Sequence, residues 1–339
     1  MAQCVTETEV LESQRLTPQE NTNMSHTPRY TSILALFASL FVLAAACSKD
    51  DAGGSKAAGS AMGYLPKDAS LVVGVNVAKA RKSRLYKEYK PMLDKLLQDD
   101  DYKKIQDTCG IDAVNKLEQA VIAMGKDPKD ENGMWVVVTG LTKSKIGDCV
   151  DKLKANGDKV DKKDEGDLVA YTVDGKTMYV WWPTDNTLVT GPAAEDKPDE
   201  LKKLATGGDK LKDNKELMAM VEKTDTGAML WMAGGLPPNM PAMATSGLPG
   251  GPPESLYVSF NLPGDLKAKI GLVYKDEDTA KTAEAGLNDS LKQAKDNPMA
   301  AGYVTGVKID RSGKDVKASI ELSEEDVKTL TSMAKMMMN

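Results

Sequence analysis

Apolar and polar positions alternate over residues 71–77. Leu71, Val73, Val75 and Val77 point one way and Val72, Gly74 and Asn76 the other, which predicts a strand. The period then lengthens. Over 81–108, Leu85, Tyr89, Met92, Leu93, Leu96 and Leu97 share one helical face, with Pro91 as a break or kink. Strands are expected at 120–124 and 134–139, a helix at 144–155, and strands at 168–173 and 177–182. Asp174-Gly175 between the last two is a tight-hairpin signal, because both residues tolerate the positive φ such turns require. A short strand at 186–190 and two mixed-charge helices at 197–205 and 212–223 follow.

The second half has a similar rhythm. A strand is expected at 228–232. Leu256, Val258, Phe260 and Leu262 alternate with Tyr257, Ser259 and Asn261, and Leu266, Ala268, Ile270 and Leu272 alternate with lysines. A helix at 278–295 precedes a hairpin of 304–310 and 316–322 that turns on Ser312-Gly313. Ser323 then caps a last helix, with Glu324, Glu325 and Asp326 placed to favour its dipole. The fold class is therefore α+β: antiparallel sheets backed by helices. Strands, a helix, a Gly-centred hairpin and a helix recur in both halves, with 172–176 and 309–314 at matching places. Two readings stand: an internal duplication of an α+β unit, or the likeness that any two such sheets share. The domain map is 1–46 as leader, 47–63 as flexible tether, 64–224 as the first half and 225–339 as the second.

Charge and composition narrow the chemistry. The chain of 339 residues has net charge −6, and its lysines are interspersed with Asp and Glu. That is a solvated surface without a basic stripe, so nucleic acid is not an expected partner. The single histidine, His26, lies within the leader. Histidine general bases, Ser-His-Asp and Cys-His catalysis and the usual zinc sites are thereby removed from the body. An enzyme would have to work with carboxylates, Lys, Tyr or Ser. No P-loop or Rossmann fingerprint is present. Ser332-Met333-Ala334-Lys335 lacks the companion motifs of penicillin-recognising enzymes. Asp158, Asp161, Asp164 and Asp167 alternate with lysines and read as a solvated turn, their spacing being unlike an EF-hand. No cofactor or metal is expected.

Residues 33–43 form an apolar run too short to span a bilayer, preceded by Arg29 and followed by Leu43-Ala44-Ala45-Ala46-Cys47. This resembles a bacterial lipobox, with Ala44 where the usual pattern has Leu. The resemblance implies cleavage before Cys47, a diacylglycerol on its thiol and acylation of the new amine, which together make anchoring stable. It also implies a cell-envelope location, at the outer membrane facing the periplasm. The alternative is an ordinary secretory leader with an incidental cysteine. Glu7, Glu9, Glu12 and Glu20 against Arg15 are the wrong sign for the cytoplasmic side of a leader. Initiation at Met24 would instead give a short basic start and leave Cys4 outside the working protein. Residues 48–55 read as a polar tether.

Cys109 and Cys149 remain. In an oxidising compartment an isolated pair is most simply a disulfide, worth roughly 3–4 kcal/mol in the chain-entropy model for a loop of about 40 residues. A metal site or a reactive thiol are the alternatives.

Three apolar features stand out. Residues 234–255 hold six prolines, five glycines and one charge, together with Leu236, Met240, Met243 and Leu248. This is irregular chain, either an apolar flap over a hydrophobic site or a mobile insertion. Trp181 and Trp182 are adjacent on a strand and must face opposite sides, so one needs a cover or a ligand. Met-x-x-Met occurs at Met229/Met232, Met240/Met243 and Met333/Met336, spacing that suits Cu(I) or simple apolar filling.

The segment Leu65-Pro66-Lys67-Asp68-Ala69, running into the strand at Leu71, resembles the opening of bacterial envelope proteins of unknown function, common among myxobacteria and their relatives. That family supplies no catalytic residues to carry over. The expectation is a membrane-anchored periplasmic lipoprotein, a binding or structural protein rather than an enzyme. The alternative is a carrier or chaperone for lipid or acylated protein using an apolar groove. Its partners would be the membrane, through Cys47, and a hydrophobic ligand or an envelope protein. An enclosed lipid-sized cavity would favour the carrier and a filled core the first reading.

Overall fold

The computed structural model describes residues 53–83, 86–87, 90–91, 100–125, 133–191, 198–236, 248–262, 266–297, 301–304 and 306–329. Cys47, Met240 and Met243 lie outside them, as do residues 84–85, 88–89 and 92–99 of the expected helix at 81–108. Twelve strands form one antiparallel sheet, in the order β11-β12-β10-β9-β8-β1-β2-β3-β7-β6-β5-β4. They are β1 (Leu71–Asn76), β2 (Gln119–Met124), β3 (Met134–Thr139), β4 (Val160–Glu165), β5 (Leu168–Val173), β6 (Lys176–Thr184), β7 (Thr187–Thr190), β8 (Leu230–Gly235), β9 (Ser255–Asn261), β10 (Leu266–Val273), β11 (Lys308–Ser312) and β12 (Asp315–Leu322). The helices are α1 (Gly53–Met62), α2 (Val77–Arg81), α3 (Asp100–Cys109), α4 (Ala113–Lys116), α5 (Lys143–Ala155), α6 (Pro198–Ala205), α7 (Lys215–Glu222), α8 (Glu277–Asp296) and α9 (Ala301–Val304).

The α+β expectation holds, with one correction. The sheets of the two halves are a single sheet, joined where β1 pairs β8 around Val73 and Met232. About that seam the topology repeats. Each half runs outward as a three-strand meander, then a helix, then a hairpin whose last strand returns to the third: β7 on β3 and β12 on β10. The first half adds β4 and β5 beyond this. Sheet position therefore matches the Ser312-Gly313 turn to Asp185-Asn186, not to Asp174-Gly175, which joins β5 to β6.

The main core lies on one face, under α1, α6 and α7, and draws on both halves: Met62, Leu65, Val72, Val121, Val137, Trp231 and Tyr257. Three large rings lie over glycines of neighbouring strands. A Cβ at Gly74 would come within 2.1 Å of the Trp231 ring, one at Gly271 within 1.9 Å of Tyr257, and one at Gly191 within 2.7 Å of Trp135. Glycine at these positions lets a fully grown aromatic ring lie flat on the sheet. Trp231 and Tyr257 are both fully buried there. On the other face α3 and α5 cover Val75, Ala120 and Val138, and α8 covers Leu272 and Val316.

Two polar stretches behave differently from expectation. The tether's second half is helix α1, in which Ala58, Ala61 and Met62 are buried along one stripe, with Leu65 buried just beyond its end. Small side chains lower the stripe's hydrophobicity, yet they let the helix approach the sheet closely. The run at 158–167 contains β4 rather than a solvated turn. It is an edge strand whose charges are paired: Lys162 with Asp151 and Asp161 with Lys154 of α5, and Lys163 with Glu165 along the strand itself. A charged edge blocks further strand pairing. Val77, expected to end the first strand, instead opens α2, because the Asn76 side chain accepts from Lys79 N at 2.8 Å and caps a helix there. No described helix is long and apolar enough to cross a membrane.

Under α8, Tyr274 is fully buried and its hydroxyl has no hydrogen-bond partner among the described residues. Burial pushes its pKa up. Tyr274→Phe should stabilise the protein by about 1 kcal/mol at neutral pH, since an unpaired buried hydroxyl is removed. Above about pH 10 the unfolded chain ionises this tyrosine while the native chain holds its proton, so native stability falls as pH rises. The Phe variant should lose less between pH 9 and pH 11. Thermal melts across that range check both statements, and a lower melting temperature for the variant at pH 7 would contradict the first.

Candidate functional site

The turn after α1 is built by main-chain and amide contacts. Leu65 is fully buried and its carbonyl accepts from Leu211 N at 2.8 Å. Pro66 forms an isolated bridge with Lys210. Asn214 then does two things. Its Oδ1 accepts from Leu217 N at 3.0 Å and caps α7, while its Nδ2 donates to the carbonyls of Lys67 at 2.9 Å and Ala69 at 3.3 Å. The turn is thus fastened to the N-terminus of α7. On the other side, α6 buries Leu201 and Leu204 and leaves Glu200 and Lys203 outward. Gly207, at φ 113°, reverses the chain, and Gly208 N closes back on Lys203 O at 2.8 Å.

Between these walls lies an open cleft of about 820 Å³ with Trp135, Leu204 and Pro66 among its lining. Seven charged side chains line it: Lys67, Lys203 and Lys215 against Asp68, Glu200, Asp209 and Asp213. Some are occupied. Lys67 lies 3.8 Å from Asp209, and Asp213 accepts from Lys210 N at 3.2 Å. The side chains of Asp68, Glu200, Lys203 and Lys215 are exposed and make no hydrogen bond or ion pair among the described residues. Two carboxylates and two ammonium groups therefore face the cleft free. Its volume falls in the range of small-molecule sites.

Behind the cleft, Lys210 turns inward. Its Nζ sits 5.1 Å from the Trp181 ring centre and donates to the carbonyl of Leu204. Burial lowers its pKa. Tyr64 meets the same indole edge-on at 5.4 Å. Trp181 is consequently covered by protein rather than offered to a ligand. Trp182 faces the opposite side, as alternation requires, and packs with Ile146 and Val150 of α5. Neither lines the cleft, and neither do Leu236 and Leu248. Leu248 opens a turn whose Pro249 and Gly250 lie against Gly286 and Ala283 of α8. The start of the 234–255 segment belongs to β8 and its last eight residues to this turn and the approach to β9, whereas residues 237–247 lie outside the described ones. Met229 is fully buried with Ala80 and Leu262, whereas Met232 is half-buried on the sheet.

The sheet's second face carries another feature. Val136, Ile122, Val73, Met232, Val258 and Ile270 are cross-strand neighbours in one row from β3 to β10. The row is wholly apolar and lies between the territories of α5 and α8. Ile270, at the β10 end of the row, is 43% exposed, and Met134 on β3 is 44% exposed. Of the six, Ile122 alone is buried, at 8% exposure.

The cleft was not legible as a site. Its residues come from four separate stretches, and the one local signal was the Leu65–Ala69 turn itself. Leu65, Pro66 and Ala69 have structural roles there, but the Asp68 side chain has none.

No protein-family model and no curated protein matches the chain. Among solved structures, crystal forms I and IV of TP0453 align with a TM-score of 0.45 each, at 8% and 10% identity, over 80% of this chain and 96% of theirs.

Proposed function

We propose that this protein is a lipid-anchored binding protein of the bacterial cell envelope, held at the membrane by Cys47 with its folded body in the periplasm. The single observation that carries the binding reading is the cleft, whose free charges of both signs surround an apolar floor. The lipobox-like Leu43–Cys47 sequence supports the anchor, and the Cys109–Cys149 disulfide suits an oxidising compartment. The Leu65–Ala69 opening is what links the body to envelope proteins of the myxobacterial type. Cys47→Ser should move the protein from the membrane fraction to the soluble one and abolish acyl labelling. Retained labelling would overturn the anchor.

A second reading, a carrier for lipid or acylated protein, is favoured by the apolar row on the opposite face. The packing of the main core supports the first reading, since Met62, Leu65, Trp231 and Tyr257 are buried in it. Ile270→Asp discriminates between them. The side chain is already exposed, so the fold should survive. A carrier would lose about tenfold in affinity for a fluorescent fatty acid, given the cost of a carboxylate on an apolar contact surface. Unchanged binding would end the carrier reading.

A further inference from the structure

We infer that the cleft takes an amphoteric ligand: a short peptide presenting a free ammonium group and a free carboxylate together. The inference rests on the binding reading above and names the ligand class of that same site.

The chemistry of the lining selects it. A site for an anion would gather cations and exclude acids; this one has Asp68 and Glu200 free beside Lys203 and Lys215. A site for a cation would do the reverse. A purely apolar ligand would leave these charges facing it, which is costly wherever it displaced their water. A ligand with one charge of each sign satisfies both kinds of group at once, while its apolar atoms can meet Leu204, Pro66 and the Trp135 edge. The placement is fixed by rigid elements. Glu200 and Lys203 are three residues apart on α6 and share its outward face. Lys215 is the first residue of α7, where the unpaired amides of a helix start add to its positive charge. Asp68 stands on the turn that Asn214 fastens to that helix. Lys67 and Asp209, 3.8 Å apart, neutralise one another and leave the four free groups to decide the preference. All four side chains are exposed, so each can be changed without disturbing the core.

The test uses the full chain in detergent and the tripeptide alanyl-leucyl-alanine, whose only charges are its terminal ammonium and carboxylate. Binding is followed through the indole N–H resonance of Trp135, assigned with Trp135→Phe. The free peptide should shift that resonance saturably. Acetylating its amine or amidating its carboxyl terminus should each weaken binding about tenfold. Asp68→Asn should remove the discrimination against the acetylated form, and Lys203→Gln the discrimination against the amidated form. Equal binding of free and capped peptides overturns the inference. So does a Trp135 shift with a neutral disaccharide but none with the peptide, which would keep the cleft as a binding site and reject this ligand class. If neither ligand reaches Trp135, the inference and the binding reading fall together.

Discussion

Replacing Cys109 and Cys149 together by serine should lower the unfolding free energy by about 4 kcal/mol, the loop-closure value for a crosslink spanning 40 residues. Cys109 ends α3 and Cys149 lies within α5, with their Cα atoms 4.8 Å apart. Both join the small core of Val75, Ala120, Val138 and Leu141 on the second face of the sheet. Loss of the bond frees α3 from α5 in the unfolded chain. It also places two hydroxyls among apolar neighbours. Guanidinium unfolding of the oxidised protein, the reduced protein and the double serine variant measures the effect. The reduced wild type should lose most of the difference. Coincident midpoints for the oxidised and reduced forms would show that the bond contributes nothing.

Asp315→Ala should cost about 3 kcal/mol. Asp315 begins β12 and is nearly buried. Its two carboxylate oxygens accept from the Tyr257 hydroxyl at 3.0 and 3.1 Å, and Lys223 Nζ lies 2.9 Å from Oδ2. Lys223 and Lys269 flank the Tyr257 ring at 5.8 and 5.5 Å. Burial, and then the Asp315 charge, hold the Tyr257 hydroxyl protonated far above the ordinary tyrosine range. Removing the carboxylate strands a fully buried hydroxyl and leaves Lys223 without its counter-charge. Lys223 caps α7, in the first half of the chain, and Asp315 belongs to the second, so the cluster pins the halves together. Asp315→Asn keeps an acceptor for Tyr257 and should cost less than half as much. Equal losses for the two variants, read from denaturant midpoints, would show that the carboxylate acts through its volume alone.

Local chemistry accounts for what could be read in the sequence. The Asp174-Gly175 hairpin is present, with φ of 47° and 83° at the two turn residues, because only such residues tolerate that conformation cheaply. Ser323 caps the last helix through reciprocal bonds: its Oγ accepts from Asp326 N at 3.2 Å, and the Asp326 carboxylate accepts from Ser323 N at 3.1 Å. The alternation in β1, β9 and β10 marks strands because successive side chains of an extended chain point to opposite faces of the sheet. The cysteine pair was legible from its isolation in the body. Where the signal was not periodic, local reading failed. Helix α1 is too poor in large apolar residues to look buried, and β4 has no apolar face because it is an edge held by ion pairs.

Which elements meet is a different kind of information. Nothing near Gly74 announces that Trp231 lies on it, 157 positions further along the chain. The joining of two meanders through β1 and β8, the burial of Asp315 beside Tyr257 and the gathering of Asp68, Glu200, Lys203 and Lys215 around one cleft are all long-range. Turn, cap and period preferences act over a few residues, so the sequence by itself determined the alternating strands, the Asp174-Gly175 hairpin, the Ser323 cap and the α+β class. Pairing between distant strands and the docking of α6 and α7 depend on shape and burial summed over the whole core, and only the tertiary structure decided those.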